Sequence, residues 1–341
     1  MKRAAIFFFS RQGGETARCI ADFLRAEWDC CLFAPEKHAG DEAKPVSGGI
    51  TAFTGTLIGE VDAFVYVGAC GIAVRAIAPY VKSKTTDPAV ICVDELGKFS
   101  VALLSGHIGG GNRLANAVAA GIGAIPVITT ATDVNGRFAV DAWAAERGFI
   151  IGNMKAAKDI AAAILERDIP ICADAAIVKP LPPGLCEGRE GPAGISVSVR
   201  GEEPFAHTLL VIPRVLTLGI GCRRGITCEA IEAAVEEVFR KNGLDRRAIK
   251  AVASIDLKAD EPGLLEFCEK HGLPAAFHTA EALMAVPGDF SPSEFVQKVT
   301  GVDNVCERSA AESGGKIIVK KAACHGVTVA VAETEWEVSF E

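Results

Sequence analysis

Short apolar runs alternate with amphipathic stretches along most of this chain, and glycine-containing turns separate them. Ala4–Phe9 is apolar throughout, which predicts a strand buried on both faces. The turn Ser10–Glu15 follows, then a helix from Thr16 to Glu27 and a second strand at Asp29–Ala34. Val61–Val67 predicts another strand, entering the turn Gly68-Ala69-Cys70-Gly71 and a helix that runs to Tyr80. Ala89–Val93 and Phe99–Leu104 flank Asp94-Glu95-Leu96-Gly97-Lys98, which is the pattern of a hairpin. Beyond Ser105-Gly106-His107 and three glycines comes a helix to Ala120, and Pro126–Thr130 reads as a short buried strand.

From Asp141 to Asp168 the pattern is alanine-rich and helical, whereas residues 179–205 are rich in proline and in glycine turns. That shift marks a smaller middle module or a linker. A new alternation begins at Leu209, with strands expected at Val215–Ile220, Ala248–Ile255, Ala275–Phe277, Ile317–Lys321 and Val327–Val331. Thr227 is placed to cap a helix that ends near Asn242-Gly243. The expected class is α/β: two α/β domains with mostly parallel sheets, 1–138 and 211–341, joined by the module or linker 139–210.

Composition narrows the function. The chain has 341 residues, half of them apolar and 23% charged, enough to build sizeable cores. The net charge of −8 comes without any basic stripe and argues against a nucleic-acid partner. The N-terminal run shows no cleavage signature, and the uncharged stretch between Arg113 and Asp133 is broken by Gly121, Gly123 and Pro126. No membrane association is expected, and the cytoplasm is the expected location. The 12 cysteines contain no C-x-x-C pair and read as small core residues in a reducing compartment. The 6 histidines form no ligand-spaced pair, so no metal site built by the protein is expected.

Several turns carry chemistry beyond geometry. Gly71 and Arg75 suit an anion at a strand-to-helix turn, and Lys84, Thr85 and Thr86 supply charge and hydroxyls to the same end. His107, flanked by Ser105 and Gly106, sits where ligands meet α/β sheets and titrates near neutrality. Thr130 and Asp133 follow the next strand, although turn chemistry alone explains an Asp in Asp133-Val134-Asn135-Gly136. In the second half, Gly221, Arg223 and Arg224 join a strand to a helix N-terminus and favour carboxylate or phosphate. Lys258 and Asp260 add groups for acid–base or anion work, and Cys222 is a weaker candidate nucleophile.

Taken in order, VGACGIAVRAIAPYVKSK, LLSGHIGGGNRLA, PVITTATDVNG, LGIGCRRG, ASIDLKADEPGL, GVDNVCER and GVTVAVAE resemble the cobalt-precorrin-5A hydrolase family of anaerobic cobalamin biosynthesis. The match spans roughly residues 60–135 and 215–332, and the combination is more specific than any one glycine turn.

The resemblance implies a substrate that is a cobalt-containing, ring-contracted tetrapyrrole with a δ-lactone and many carboxylate arms. Water would open the lactone, and the extruded carbon would leave as acetaldehyde to give cobalt-precorrin-5B. Cobalt would arrive with the substrate, with no cofactor of the protein's own. On this reading the corrinoid lies between the two α/β domains. His107 is then the expected general base or acid, oriented by Asp133 or Asp94. Arg75, Lys84, Arg223, Arg224 and Lys258 would hold carboxylates. A non-catalytic protein that binds or carries corrinoid intermediates is the alternative, and a flavodoxin-like nucleotide protein lacks a phosphate loop. Docking to neighbouring pathway enzymes and homo-oligomerisation stay open.

Overall fold

A computed structural model describes residues 1–83, 86–324 and 326–340; Lys84 and Thr85 lie outside the described residues. The chain divides between Trp143 and Ala144 into two compact units. Among the described residues no helix is long and apolar enough to cross a membrane.

The first unit is a seven-stranded sheet. Its strands are β1 (Lys2–Phe8), β2 (Trp28–Ala34), β3 (Lys44–Pro45), β4 (Ala63–Val67), β5 (Ala89–Val93), β6 (Phe99–Leu104) and β7 (Ile125–Val127), in the spatial order 3-2-1-4-5-6-7. Strands β1, β4 and β5 pair in parallel, and their apolar runs are buried on both faces. One face stacks Phe7 on Phe33, Phe64 and Tyr66, with ring centroids 5.1 to 6.2 Å apart. Each ring so buried contributes about 1.5–3 kcal/mol. The first helix starts at Arg11, not Thr16, because the Ser10 hydroxyl accepts the Gly13 N–H and caps it. The strand expected at Pro126–Thr130 is shorter, and Thr130 instead precedes a helical turn.

One reversal decides where chemistry can sit. Strands β5 and β6 are antiparallel, and β7 follows β6 in parallel. The carboxyl ends of β6 and β7 therefore face the opposite rim of the sheet from those of β1, β4 and β5.

The second unit holds two sheets. In residues 144–212 these are β8 (Ile150–Ile151), β9 (Ile169–Ala173), β10 (Leu185–Glu187), β11 (Gly194–Val197) and β12 (Thr208–Ile212), ordered 10-9-11-12-8. The C-terminal sheet contains β13 (Leu216–Cys222), β14 (Ile249–Ile255), β15 (Ala275–His278), β16 (Lys316–Cys324) and β17 (Val327–Glu333), ordered 15-14-13-17-16. Strands β13 to β15 are parallel, while β17 runs against both neighbours. Val199, Leu210 and Ile212 share one core with Leu218, Ile220, Val235 and Phe239, so the proline-rich span is a packed module.

Helix Val305–Gly314 lies directly on β13. A Cβ at Gly219 would stand 1.8 Å from the Cys306 carbonyl oxygen. Only glycine permits that approach, and it sets the helix N-terminus at the carboxyl end of β13.

Candidate functional site

Within the first unit, His107 lies in the loop between β6 and helix Gly111–Ile122. Its Nε2 is 2.9 Å from Asp133 Oδ2 and its Nδ1 is 3.1 Å from Asp141 Oδ1, so an imidazolium donates to a carboxylate from both sides. The Asp141 hydrogen bond does most to raise His107, burial opposes it, and Asp133 adds to the rise; the result is about 9. Burial pulls Asp133 upward, but the Thr130 hydroxyl, His107 and Asn112 more than offset it and hold that carboxyl low. Thr130 Oγ1 and Asn112 Nδ2 donate to Asp133 at 2.5 and 3.2 Å. The side chain of His107 stays 19% exposed, so the cation is reachable. At neutral pH this group is an acid before it is a base.

The loop around it is compact because it is built of glycine. A Cβ at Gly111 would meet the Leu104 carbonyl at 2.7 Å, and one at Gly109 would meet Ser105 Cβ at 2.4 Å. The amides of Gly110, Gly111 and Asn112 are spent on the carbonyls of His107, Ser105 and Gly106. They offer no free cradle for an anion.

Ser105 is the single non-glycine residue with positive φ, at 54°, among the described residues. Its hydroxyl is buried and has no hydrogen-bond partner. Strain and an orphaned hydroxyl both subtract from stability. Ser105→Gly is therefore expected to raise stability by about 1 kcal/mol, read as a higher urea midpoint, after the flexibility of glycine in the unfolded chain is discounted. A lower midpoint would show that the hydroxyl has a partner of its own.

The other expected residues of this unit separate. Asp94 does not approach His107; its carboxylate accepts the amides of Leu96, Lys98 and Phe99 and fixes the β5–β6 hairpin. Gly71 and Arg75 follow β4 on the opposite rim, where the Arg75 guanidinium turns back onto the Gly71 carbonyl at 3.2 Å. Thr86 belongs to the loop before β5, whose Asp87 carbonyl comes within 3.3 Å of a Cβ built on Gly109. That loop reaches the rim of His107. Asp141 and Asn112 are the residues that sequence reading missed.

The C-terminal sheet carries a cavity of about 680 Å³ at the carboxyl ends of β13 and β14. Gly221 to Arg224, Ile255, Leu257 and Lys258 line one side, and helix Glu294–Thr300, the N-terminus of helix Val305–Gly314 and Lys321 line the other. Leu257, Phe295 and Val299 remain 48%, 76% and 64% exposed at its border. A cavity of this size, apolar with a few fixed charges, suits a small-molecule ligand with apolar surface and anionic groups.

The cations sort into committed and free. Arg224 is paired with Asp260 at 2.6 Å on the surface, and Lys258 with Glu261 at 3.0 Å in the interior. Both expected anion-holding residues thus already have a carboxylate, and Asp260 serves Arg224. No ion pair engages Arg223 or the Lys321 ammonium among the described residues. Burial would raise Glu261, yet Lys258 and the Gly225 amide hold its carboxyl below the ordinary range. Burial pushes the Cys222 thiol up, which keeps it protonated and counts against a nucleophile.

The segment GVDNVCER supports the far wall. Asn304 caps helix Val305–Gly314 and donates to the Ser291 carbonyl. Glu307, fully buried, accepts the amides of Ser291 and Lys321 at 3.0 and 2.7 Å. Arg308 pairs with Asp303 at 2.7 Å and also donates to the carbonyls of Leu283 and Val286.

Two family models match the chain: "Cobalamin synthesis G N-terminal" over residues 52–133 and "Cobalamin synthesis G C-terminus" over residues 216–332. The chain is 33% identical to the cobalt-precorrin-5A hydrolase of Salmonella typhimurium, covering 96% of this chain and 97% of that one. It is 28% identical to the protein of the same name from Priestia megaterium, over 96% and 94%. A shorter match, 34% identical over 121 residues, is to Protein CobE of a Sinorhizobium species and covers 34% of this chain and 79% of that one.

Proposed function

Because this chain belongs to the cobalt-precorrin-5A hydrolase family of cobalamin biosynthesis, we propose that it opens the δ-lactone of cobalt-precorrin-5A and releases acetaldehyde, with His107 as proton donor. The near-full-length likeness to a cobalt-precorrin-5A hydrolase carries the reaction, and the imidazolium held between two carboxylates carries the role of His107.

Water adds to the lactone carbonyl, the ring C–O bond breaks, and the leaving oxygen takes a proton from the His107 imidazolium. The neutral imidazole then removes the proton of the resulting carbinol. The C–C bond to the extruded carbon breaks, its electron pair passes to the macrocycle, and acetaldehyde departs. One water enters, one acetaldehyde leaves, both protons of the water pass to solvent as the freed acid becomes a carboxylate, and His107 ends protonated as it began. Asp133 and Asp141 hold the ring in place and stabilise the cation to which it returns. Cobalt belongs to the substrate, and no step draws on a cofactor of the protein.

In the C-terminal cavity, Leu257, Phe295 and Val299 offer apolar surface to the macrocycle, while Arg223 and Lys321 offer charge to its acetate and propionate arms.

The test is acetaldehyde release from cobalt-precorrin-5A under exclusion of oxygen, followed with a coupled alcohol dehydrogenase. Many turnovers per chain are expected. Tight binding without acetaldehyde would make the chain a holder of corrinoid intermediates, and no binding would remove the assignment.

A further inference from the structure

Glu261 does not line the C-terminal cavity, yet it is buried directly behind Lys258, which does. It is 1% exposed, and both carboxylate oxygens are used. Oε1 accepts the Gly225 amide at 2.8 Å, and Oε2 meets Lys258 Nζ at 3.0 Å. Gly225 closes the turn that carries Arg223 and Arg224, and it does so at φ +73°. One buried carboxylate therefore ties the arginine turn after β13 to the lysine after β14, although Glu261 itself lies 36 residues from Gly225. The side chain of Lys258 is only 12% exposed, so its ammonium has little water to stabilise a drift away from this position.

We infer that Glu261 is a positioning residue for substrate binding: it holds Lys258 and the Arg223–Gly225 turn as one rigid cationic wall facing the carboxylate arms of the ligand. This rests on the functional reading above. A fixed cation recognises a carboxylate at lower entropic cost than a swinging one. The neighbouring pair Arg224–Asp260 is exposed on both sides and cannot supply the same rigidity.

The experiment uses the full-length chain, cobalt-precorrin-5A and the acetaldehyde assay. Glu261→Gln retains an oxygen for the Gly225 amide but removes the charge that holds Lys258. It is expected to raise KM about 10- to 100-fold while kcat stays within about threefold. A change confined to folding would instead lower the melting temperature and leave KM untouched in the folded fraction; that result overturns the inference. So does a fall in kcat at constant KM. Should Glu261→Gln fail to fold, Glu261→Asp keeps the charge and Lys258 but draws the carboxylate back by one methylene, and it takes its place. A raised KM in Glu261→Asp supports the inference, and a wild-type KM overturns it. Wild-type protein that releases no acetaldehyde removes the functional reading itself, a failure distinct from either.

Discussion

His107→Ala is expected to lower kcat by about 10²- to 10⁴-fold, the range lost with a positioned proton donor. The pH dependence separates the acid role from a base role. His107 is raised from an ordinary value of 6.5 to about 9, first by the Asp141 hydrogen bond, against the pull of burial. If the imidazolium is the required form, kcat/KM holds to about pH 9 and falls above it; activity that climbs through pH 9 would refute it. Asp141→Asn, which removes the largest cause of the rise, moves this alkaline limb to lower pH. Stability follows the same sign. A folded-state pKa above the unfolded one contributes fully below about pH 6.5 and is lost as pH rises through about 9. The full contribution is of the order of 3 kcal/mol. Urea midpoints of the wild type should drop across that window more steeply than those of His107→Ala.

The largest structural effect is expected from a single methyl group. Gly219→Ala places a Cβ 1.8 Å from the Cys306 carbonyl oxygen and 2.8 Å from the Ala310 side chain. Neither is the end of a flexible side chain, so the whole helix Val305–Gly314 must lift from β13. A loss of about 3 kcal/mol or more follows, at the upper end of overpacking effects. The helix carries Asn304 and Glu307, which support Ser291 and Lys321, so the cavity deforms with it. Urea denaturation and titration with cobalt-precorrin-5A should report both losses. A Gly219→Ala protein with wild-type midpoint and affinity would mean that the helix is free to ride outward.

Much of the fold was legible because continuous apolar runs such as Ala4–Phe8 and Ala63–Val67 have no stable alternative to a buried strand. Local ambiguity hid the first helix start: Gly13-Gly14 reads as a turn until Ser10 is seen to cap the helix. His107 and Asp133 were visible as chemistry-bearing residues on two strand-to-helix turns. Asp141 was not, since it lies 34 positions from His107 inside an alanine-rich stretch and nothing local marks it. Asp94 looked equally suitable as an acid, but an Asp at the head of a hairpin can spend its oxygens on backbone amides, and this one does. One element of the far wall, helix Glu294–Thr300, escaped notice for another reason. Helix Glu294–Thr300 buries no residue, so Phe295 and Val299 follow no core periodicity that a sequence reading would detect.

The reversal at the β5–β6 hairpin has an evolutionary side. A sheet whose strands all run one way crowds its useful loops onto a single rim, where a change in one disturbs the next. Here the Gly68–Gly71 turn and the His107 loop occupy opposite rims, with the buried strands between them. Descendants of this chain are free to vary, lengthen or recruit the first loop while His107 and its two aspartates stay as they are.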